Sequence, residues 1–150
     1  MNQSYKTAMN RKKLSTPMQY LKQQNLIGPN GLDYGCGKGN DADLLTMDKY
    51  DPYYQPTWPK KTDYDTITCN YVLNVINHHE IEETICKMID LLAIGGNLYV
   101  SVRNDIKGGQ QAGKGCIQYN VTIPTSTHYN HRQIKKTSNY RLYRITPTWR

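Results

Sequence analysis

Leu32-Asp33-Tyr34-Gly35-Cys36-Gly37-Lys38-Gly39-Asn40 decides how this chain folds. A short strand-forming run leads directly into three alternate glycines, and the residues behind them, Asn40 to about Met47, read as a helix capped by Asn40. Glycine at these positions lets the backbone turn tightly and approach a ligand closely. The spacing is GxGxG. A dinucleotide fingerprint, GxGxxG, requires glycine where Asn40 stands, and here an acid, Asp33, precedes the turn. That carboxylate repels a pyrophosphate and suits a cationic ligand. Asp51 lies sixteen residues after Gly35, at the end of the next predicted strand, Lys49-Tyr50-Asp51, where an acid accepts hydrogen bonds from a ribose diol. The pair Asp51-Pro52 reads equally well as a turn.

Outward from this loop the same alternation of strand and helix continues. Upstream, Thr16 caps a short helix with Pro17 at its first position and Met18, Leu21 and Gln24 on one face. Downstream, residues 52–63 contain Pro52, Pro56 and Pro59 and read as a loop. Asp65 to Asn70 is rich in β-branched residues and predicts a central strand running on through Leu73. Asn77 and Glu80 form a capping-box pattern before Ile81, Ile85, Met88, Ile89 and Leu92, spaced as a helix up to Gly95-Gly96. Leu98, Val100 and Val102 alternate as a strand, and residues 104–116 are a glycine-rich loop. Gln118 to Ile123 and Tyr140 to Ile145 read as two closing strands that partner each other. The order predicts an α/β sheet with ligands outside the carboxyl ends of its strands.

At 150 residues the chain holds one domain, 1–150, comprising a basic arm and helix (1–30), a cofactor-binding core (31–103) and a glycine-rich loop with basic closing strands (104–150). Thirteen Tyr and two Trp with no Phe give every aromatic ring a polar handle. No apolar run is long enough to span a membrane, no apolar segment follows the basic N-terminus, and the four Cys form no CxxC pair. These features predict the reducing cytoplasm. His78, His79, His128 and His131 follow no metal-ligand spacing, the latter two in a polar loop, so no metal is expected.

Charge is segregated. Residues 1–31 carry five basic residues and no acid, residues 32–100 five Lys against eleven acids, and residues 101–150 nine basic residues against Asp105 alone. Two basic arms folded to one side make a phosphate-attracting face, which points to a nucleic-acid partner. Lys135, Lys136, Arg141, Arg144 and Arg150, interleaved with Tyr140, Tyr143 and Trp149, resemble a backbone-tracking, base-stacking surface; the alternative is a strand edge protected by charge.

The stretches LDYGCGKGNDADLL, YDPYYQP, YDTITCNYVLNVI and LLAIGGNLYVSVR resemble motifs of class I S-adenosylmethionine-dependent methyltransferases, specifically small phage-encoded members and those associated with DNA phosphorothioation. The resemblance covers roughly residues 5–120 and implies a reduced Rossmann-like sheet, mostly parallel with an antiparallel C-terminal strand. Residues 52–64 leave no room for the usual third strand. The resemblance also implies S-adenosyl-L-methionine as cofactor, whose ammonium and sulfonium suit Asp33. The glycine loop, with Asp33, Gly35, Cys36, Gly37 and Gly39, then wraps the methionine part. Asp51 binds ribose, Cys69, Asn70 and Tyr71 line the adenine and the methyl group, and Arg11 meets the cofactor carboxylate. With the third strand missing, Tyr53 or Tyr54 supplies a stacking face for adenine, unless both are surface tyrosines. Asp51-Pro52-Tyr53-Tyr54 is not the Asp-Pro-Pro-Tyr signature, because it follows the second strand and lacks the second proline.

Methyl transfer is an in-line displacement, so alignment and exclusion of water matter more than a dedicated base. Asn70, Asn74 and Asp105 are candidates to orient an acceptor or take its proton, and Arg103 with Asp105 opens a loop able to close as a lid. The expected acceptor is a nucleic acid, single-stranded or otherwise exposed, with a protein partner where sequence specificity is needed. The alternatives are a small-molecule or protein methyltransferase and a non-catalytic cofactor-binding module.

Overall fold

A computed structural model describes Tyr5, residues 13–113 and residues 115–149; Arg11 lies outside the described residues. Strands β1 (Gly31–Tyr34), β2 (Asp48–Tyr50), β3 (Tyr64–Asn70) and β4 (Leu92–Arg103) run parallel. They continue into β8 (Tyr140–Pro147), antiparallel to β4, and β7 (Tyr129–Lys136), antiparallel to β8. The sheet order is β2-β1-β3-β4-β8-β7. Strand β2 is an edge, and residues 51–63 return from it to β3 without a further sheet strand or a helix, so the expected loss of a third strand holds.

Alternation along the strands divides the core into two layers. Leu32 and Tyr34 of β1, Ile67 and Cys69 of β3, and Leu98, Val100 and Val102 of β4 pack with Ile81, Ile85, Met88 and Ile89 of α3 (Ile81–Ile89). Those four recur at the spacing that places them on one helical stripe. Each contributes about 1.5–3 kcal/mol by leaving water. On the opposite face α1 (Thr16–Gln23) and α2 (Asn40–Leu45) cover Tyr99, Tyr140 and Leu142 through Met18, Leu21 and Ala42. The intervening residues of β1, β3 and β4 are polar: Asp33, Thr66, Thr68 and Ser101 are buried, and Asn70 is half-buried. A polar stripe therefore runs under the glycine loop.

Several boundaries differ from the sequence expectations. Ser15, not Thr16, precedes α1, and its amide and hydroxyl both donate to the Asp41 carboxylate at 2.9 and 2.7 Å, tying α1 to α2. Gly39 precedes α2 in a left-handed conformation in place of an Asn40 cap, and Thr46 at φ 56° ends that helix. Strand β3 stops at Asn70 because Tyr71 turns to φ 62°, and residues 73–75 form a 3-10 turn. No capping box forms: a 3-10 turn at 78–80 precedes α3, and Leu92 opens β4, paired with Tyr64.

The C-terminal third departs most. The glycine-rich segment contains β5 (Gln110–Gly113), which pairs with β6 (Cys116–Tyr119) as a separate hairpin. The partner of β8 is β7, which holds the supposedly loop-bound His131. Most β7 side chains are exposed and polar, so no inward apolar alternation marked it as a strand. Tyr140 and Tyr143 are core residues, and the Arg144 guanidinium lies 5.8 Å from the Tyr99 ring centroid. Arg141 Nη2 donates to the Val121 carbonyl at 2.7 Å. These residues brace the sheet, so Tyr140, Tyr143, Arg141 and Arg144 do not form the expected base-stacking surface; Trp149 is exposed, and Arg150 lies outside the described residues.

Ile85 is fully buried and Ile94 is 86% exposed. Ile85→Ala is expected to lower the unfolding free energy in urea by about 2–5 kcal/mol, and Ile94→Ala by under about 0.5 kcal/mol; equal losses would overturn the two-layer core.

Candidate active site

One cavity of about 740 Å³ opens at the carboxyl ends of β1, β3 and β4. It gathers Asp33, Gly35, Cys36, Gly37, Asp51, Tyr53, Asn70, Tyr71, Arg103 and Asp105, all expected site residues. Cys69 is excluded: it points into the α3 layer and is fully buried. Gly39 does not line the cavity either; an added Cβ there would meet the Lys49 side chain at 2.7 Å.

The glycine loop spends most of its own amides internally. Gly35 N–H and Cys36 N–H both donate to the Tyr50 carbonyl, at 2.7 and 3.0 Å, and Gly39 N–H donates to the Cys36 carbonyl at 3.0 Å. Gly37 N–H donates to Asp51 Oδ1 at 3.2 Å. Phosphate recognition by such loops uses free N–H groups, and this loop commits four of them, so it suits a ligand without phosphate. Gly35 has φ 77°, and a Cβ on it would collide with Val72 Cγ2, so no larger residue fits between the ends of β1 and β3.

Asp51 serves as a turn and remains available as a ligand-binding group. Its Oδ2 accepts from Tyr53 N–H and Tyr54 N–H at 2.9 and 2.8 Å. With Gly37 that makes three bonds to a carboxylate that accepts about four, leaving room for one hydroxyl. One face of Tyr53 is stacked on Tyr5 at 4.1 Å, and Tyr54 packs edge-on against Tyr53.

Beneath the loop, burial pushes the Asp33 carboxyl up to about 7, against the lowering effect of the Thr68 hydroxyl, which donates to it at 2.9 Å. A cationic ligand would favour the ionised form and offset that penalty. Burial, followed by Asp33 and Asp51, pushes the Cys36 thiol up to about 12, so it is a weak nucleophile at neutral pH. Asn70 Oδ1 accepts from Ser101 Oγ at 2.8 Å, while Asn70 Nδ2 is buried without a partner. Arg103 and Asp105 form a two-pronged ion pair at 2.8 and 2.9 Å. The Arg103 hydrogen bond holds the Asp105 carboxyl below the usual range, so Asp105 is fitted to orient a group and not to take its proton. Asn74, also expected to face an acceptor, is fully buried with both ends of its amide bonded to backbone. Sequence reasoning missed Ser101, whose site role is visible only once β3 and β4 pair. Among the described residues, no group of three or more His, Cys, Asp or Glu is placed to hold a metal ion, and no helix is long and apolar enough to cross a membrane.

The strand order, the glycine turn after β1 and a cavity at the strand ends define a Rossmann-like α/β domain. Residues 5–136 match the family model described as a methyltransferase domain, and the chain belongs to that family. No curated protein matches the sequence. Among solved structures, the chain is similar to 1,6-didemethyltoxoflavin-N1-methyltransferase of Burkholderia thailandensis, with TM-score 0.64, 13% identity and 89% of this chain over 77% of that one. A Pyrococcus horikoshii protein aligns with TM-score 0.63, 11% identity and 93% of both chains. A TehB-like S-adenosylmethionine-dependent methyltransferase of Corynebacterium glutamicum gives 0.57, 13% identity, and 91% of this chain over 89% of that one.

Because the Asp33 carboxyl titrates higher in the folded chain than in the unfolded one, its contribution to stability is full below about pH 4 and is lost as pH rises through about 7. The unfolding free energy of the wild type relative to Asp33→Asn should therefore fall between about pH 4 and about pH 8 in urea titrations; a pH-independent difference would show that Asp33 ionises normally.

Proposed function

We propose that the protein is an S-adenosylmethionine-dependent methyltransferase whose acceptor is a base in a nucleic acid. The observation that carries the cofactor half is the convergence of Asp33, the amide-satisfied glycine loop and Asp51 on one cavity. The toxoflavin-type neighbour is described with bound S-adenosylhomocysteine, which supports the same cofactor here. In this reading Asp33 faces the ammonium, the backbone of residues 35–37 follows the methionine part, Asp51 takes a ribose hydroxyl, and Asn70 and Tyr71 border the methyl group. Arg11 meets the carboxylate. The bound cofactor supplies an electrophilic methyl on a sulfonium; the chain aligns the acceptor and excludes water.

The acceptor half rests on charge and topology. Strand β7 runs in the direction of β1 to β4, so Lys135 and Lys136 end on the cavity side of the sheet, followed by Asn139 in the cavity wall. Lys135 Nζ lies 5.3 Å from the ring centroid of Tyr20 in α1, which also carries Lys22. Lys135 of the C-terminal basic segment thus lies against α1 beside the opening, and in this reading a phosphate backbone lies along that shoulder. The same reading takes the protein as a phage-encoded or phosphorothioation-associated member acting on DNA in a host cytoplasm, with a protein partner supplying sequence choice. A small-molecule acceptor is the second reading, favoured by the hairpin residues Gln111 and Gln118 that wall the cavity.

Calorimetric titration should give saturable binding of S-adenosylmethionine and S-adenosylhomocysteine and none of NADH, with Gly35→Ala weakening binding at least about tenfold through strain and the Val72 collision. A folded wild type that binds neither would sink the enzyme reading. Affinity for single-stranded DNA or RNA should fall with salt, and Lys135→Glu with Lys136→Glu should flatten that dependence by about one to two phosphates; salt-independent, weak binding would leave the small-molecule reading.

A further inference from the structure

We infer that the part of the cavity between the ends of β3 and β4 and the β5–β6 hairpin is the acceptor subsite, shaped for an uncharged planar heterocycle of the nucleobase class. This rests on the methyltransferase reading above and deepens it. The subsite is a built feature. Asn74 Oδ1 accepts from Arg103 N–H at 2.8 Å, where the chain leaves β4, and Asn74 Nδ2 donates to the Tyr119 carbonyl at 2.7 Å, where it returns. One buried amide thereby holds both feet of the excursion. Asn120 closes the base of the hairpin, its N–H donating to the Gly109 carbonyl at 2.9 Å.

The lining selects the ligand class. Arg103 and Asp105 are paired with each other, so a charged acceptor would have to compete with that pair for a counter-charge. Gln111, Gln118 and Asn139 bring neutral amides, which can donate and accept but disfavour a purely apolar ring. Val75 and Ile76 add an apolar flank against which a flat ring can lie. On the floor, the Ser101 hydroxyl fixes Asn70 Oδ1, and Nδ2 is left buried without a partner just under the cavity wall. An unsatisfied buried donor is costly, and a turn of the Asn70 side chain toward the cavity would let a ligand carbonyl oxygen or unprotonated ring nitrogen satisfy it. Asn70 is then a specificity-determining residue, and Ser101 and Asn74 are positioning residues.

The test loads the full chain with S-adenosylhomocysteine, so that the adenosine site is filled, and titrates it with uridine, cytidine, adenosine and guanosine, using benzoate and indole as charged and apolar planar controls. Saturable binding of at least one nucleoside, with neither control binding as tightly, is the expected result. Asn70→Asp should weaken the preferred nucleoside about tenfold and shift preference toward one presenting N–H donors, whereas Ser101→Ala should reduce discrimination between nucleosides. Asn74→Ala should raise amide exchange across residues 108–120 before the rest of the sheet. Should that variant not fold, Gln118→Ala replaces it and should weaken the same nucleoside at least threefold. Preferred binding of benzoate or indole, no nucleoside binding, or an affinity unchanged by Asn70→Asp would overturn the inference while leaving the methyltransferase reading intact. Failure of the wild type to bind S-adenosylhomocysteine would overturn both.

Discussion

The Tyr50 carbonyl accepts the N–H groups of both Gly35 and Cys36, and the cofactor end of the molecule depends on that pairing. Strand β2 has only three residues and is an edge, so little else secures the glycine loop to it. The double bond fixes the loop against the end of β2, which delivers Asp51 to Gly37 N–H, and Asp51 in turn folds residues 51–54 back over the opening. A fuller sheet would spread this load over a third strand and its helix. Here one carbonyl and one carboxylate carry it, both at the end of β2.

The polar stripe on the α1 and α2 side follows from the same economy. Thr66, Thr68, Asp33 and Ser101 occupy buried positions that an ordinary parallel sheet fills with aliphatic residues. Each is tolerated through a specific partner: Thr68 on Asp33, Ser101 on Asn70, and Thr66 on Asp65 and the Gly28 N–H. Besides the buried Nε groups of Arg141 and Arg144, the Asp33 carboxyl with its raised proton affinity and the unpaired Asn70 Nδ2 remain unbalanced, and Asp33 and Asn70 are the two of these residues that line the cavity. Buried polarity is costly unless matched, so a ligand that brings a positive group to one and a lone pair to the other recovers what folding alone leaves unsatisfied.

Local signals were enough for the front half of the fold. Gly35, Gly37 and Gly39 marked the turn, Asp65 to Asn70 marked the central strand, and Ile81, Ile85, Met88 and Ile89 marked the helix. Most of the expected site residues converge on the cavity for that reason. The failures share one cause, which is that strand identity at an edge is set by a partner and not by an apolar face. Strand β7 exposes most of its side chains, and β5 is Gln110-Gln111-Ala112-Gly113, a composition that sequence reasoning assigns to a loop. Cys69 was misplaced by one residue of alternation. In β3 its neighbours Thr68 and Asn70 lie on the α1 and α2 side of the sheet, where Asn70 borders the cavity, so Cys69 must face the α3 layer.

The hairpin encloses one side of the cavity. Residues 104–120 leave the sheet at the end of β4 and return beside the 3-10 turn at 73–75. Holding both feet to Asn74 couples the excursion to the turn that follows Tyr71, itself held at φ 62° with its N–H on the Ser101 carbonyl. Left-handed backbone at a bulky residue is strained, and it persists because β3, β4 and the hairpin all bond to the segment around it. The hairpin wall of the cavity and its floor at Asn70 are therefore parts of one hydrogen-bonded unit, in which connectivity through Asn74, Arg103 and Ser101 supplies the enclosure.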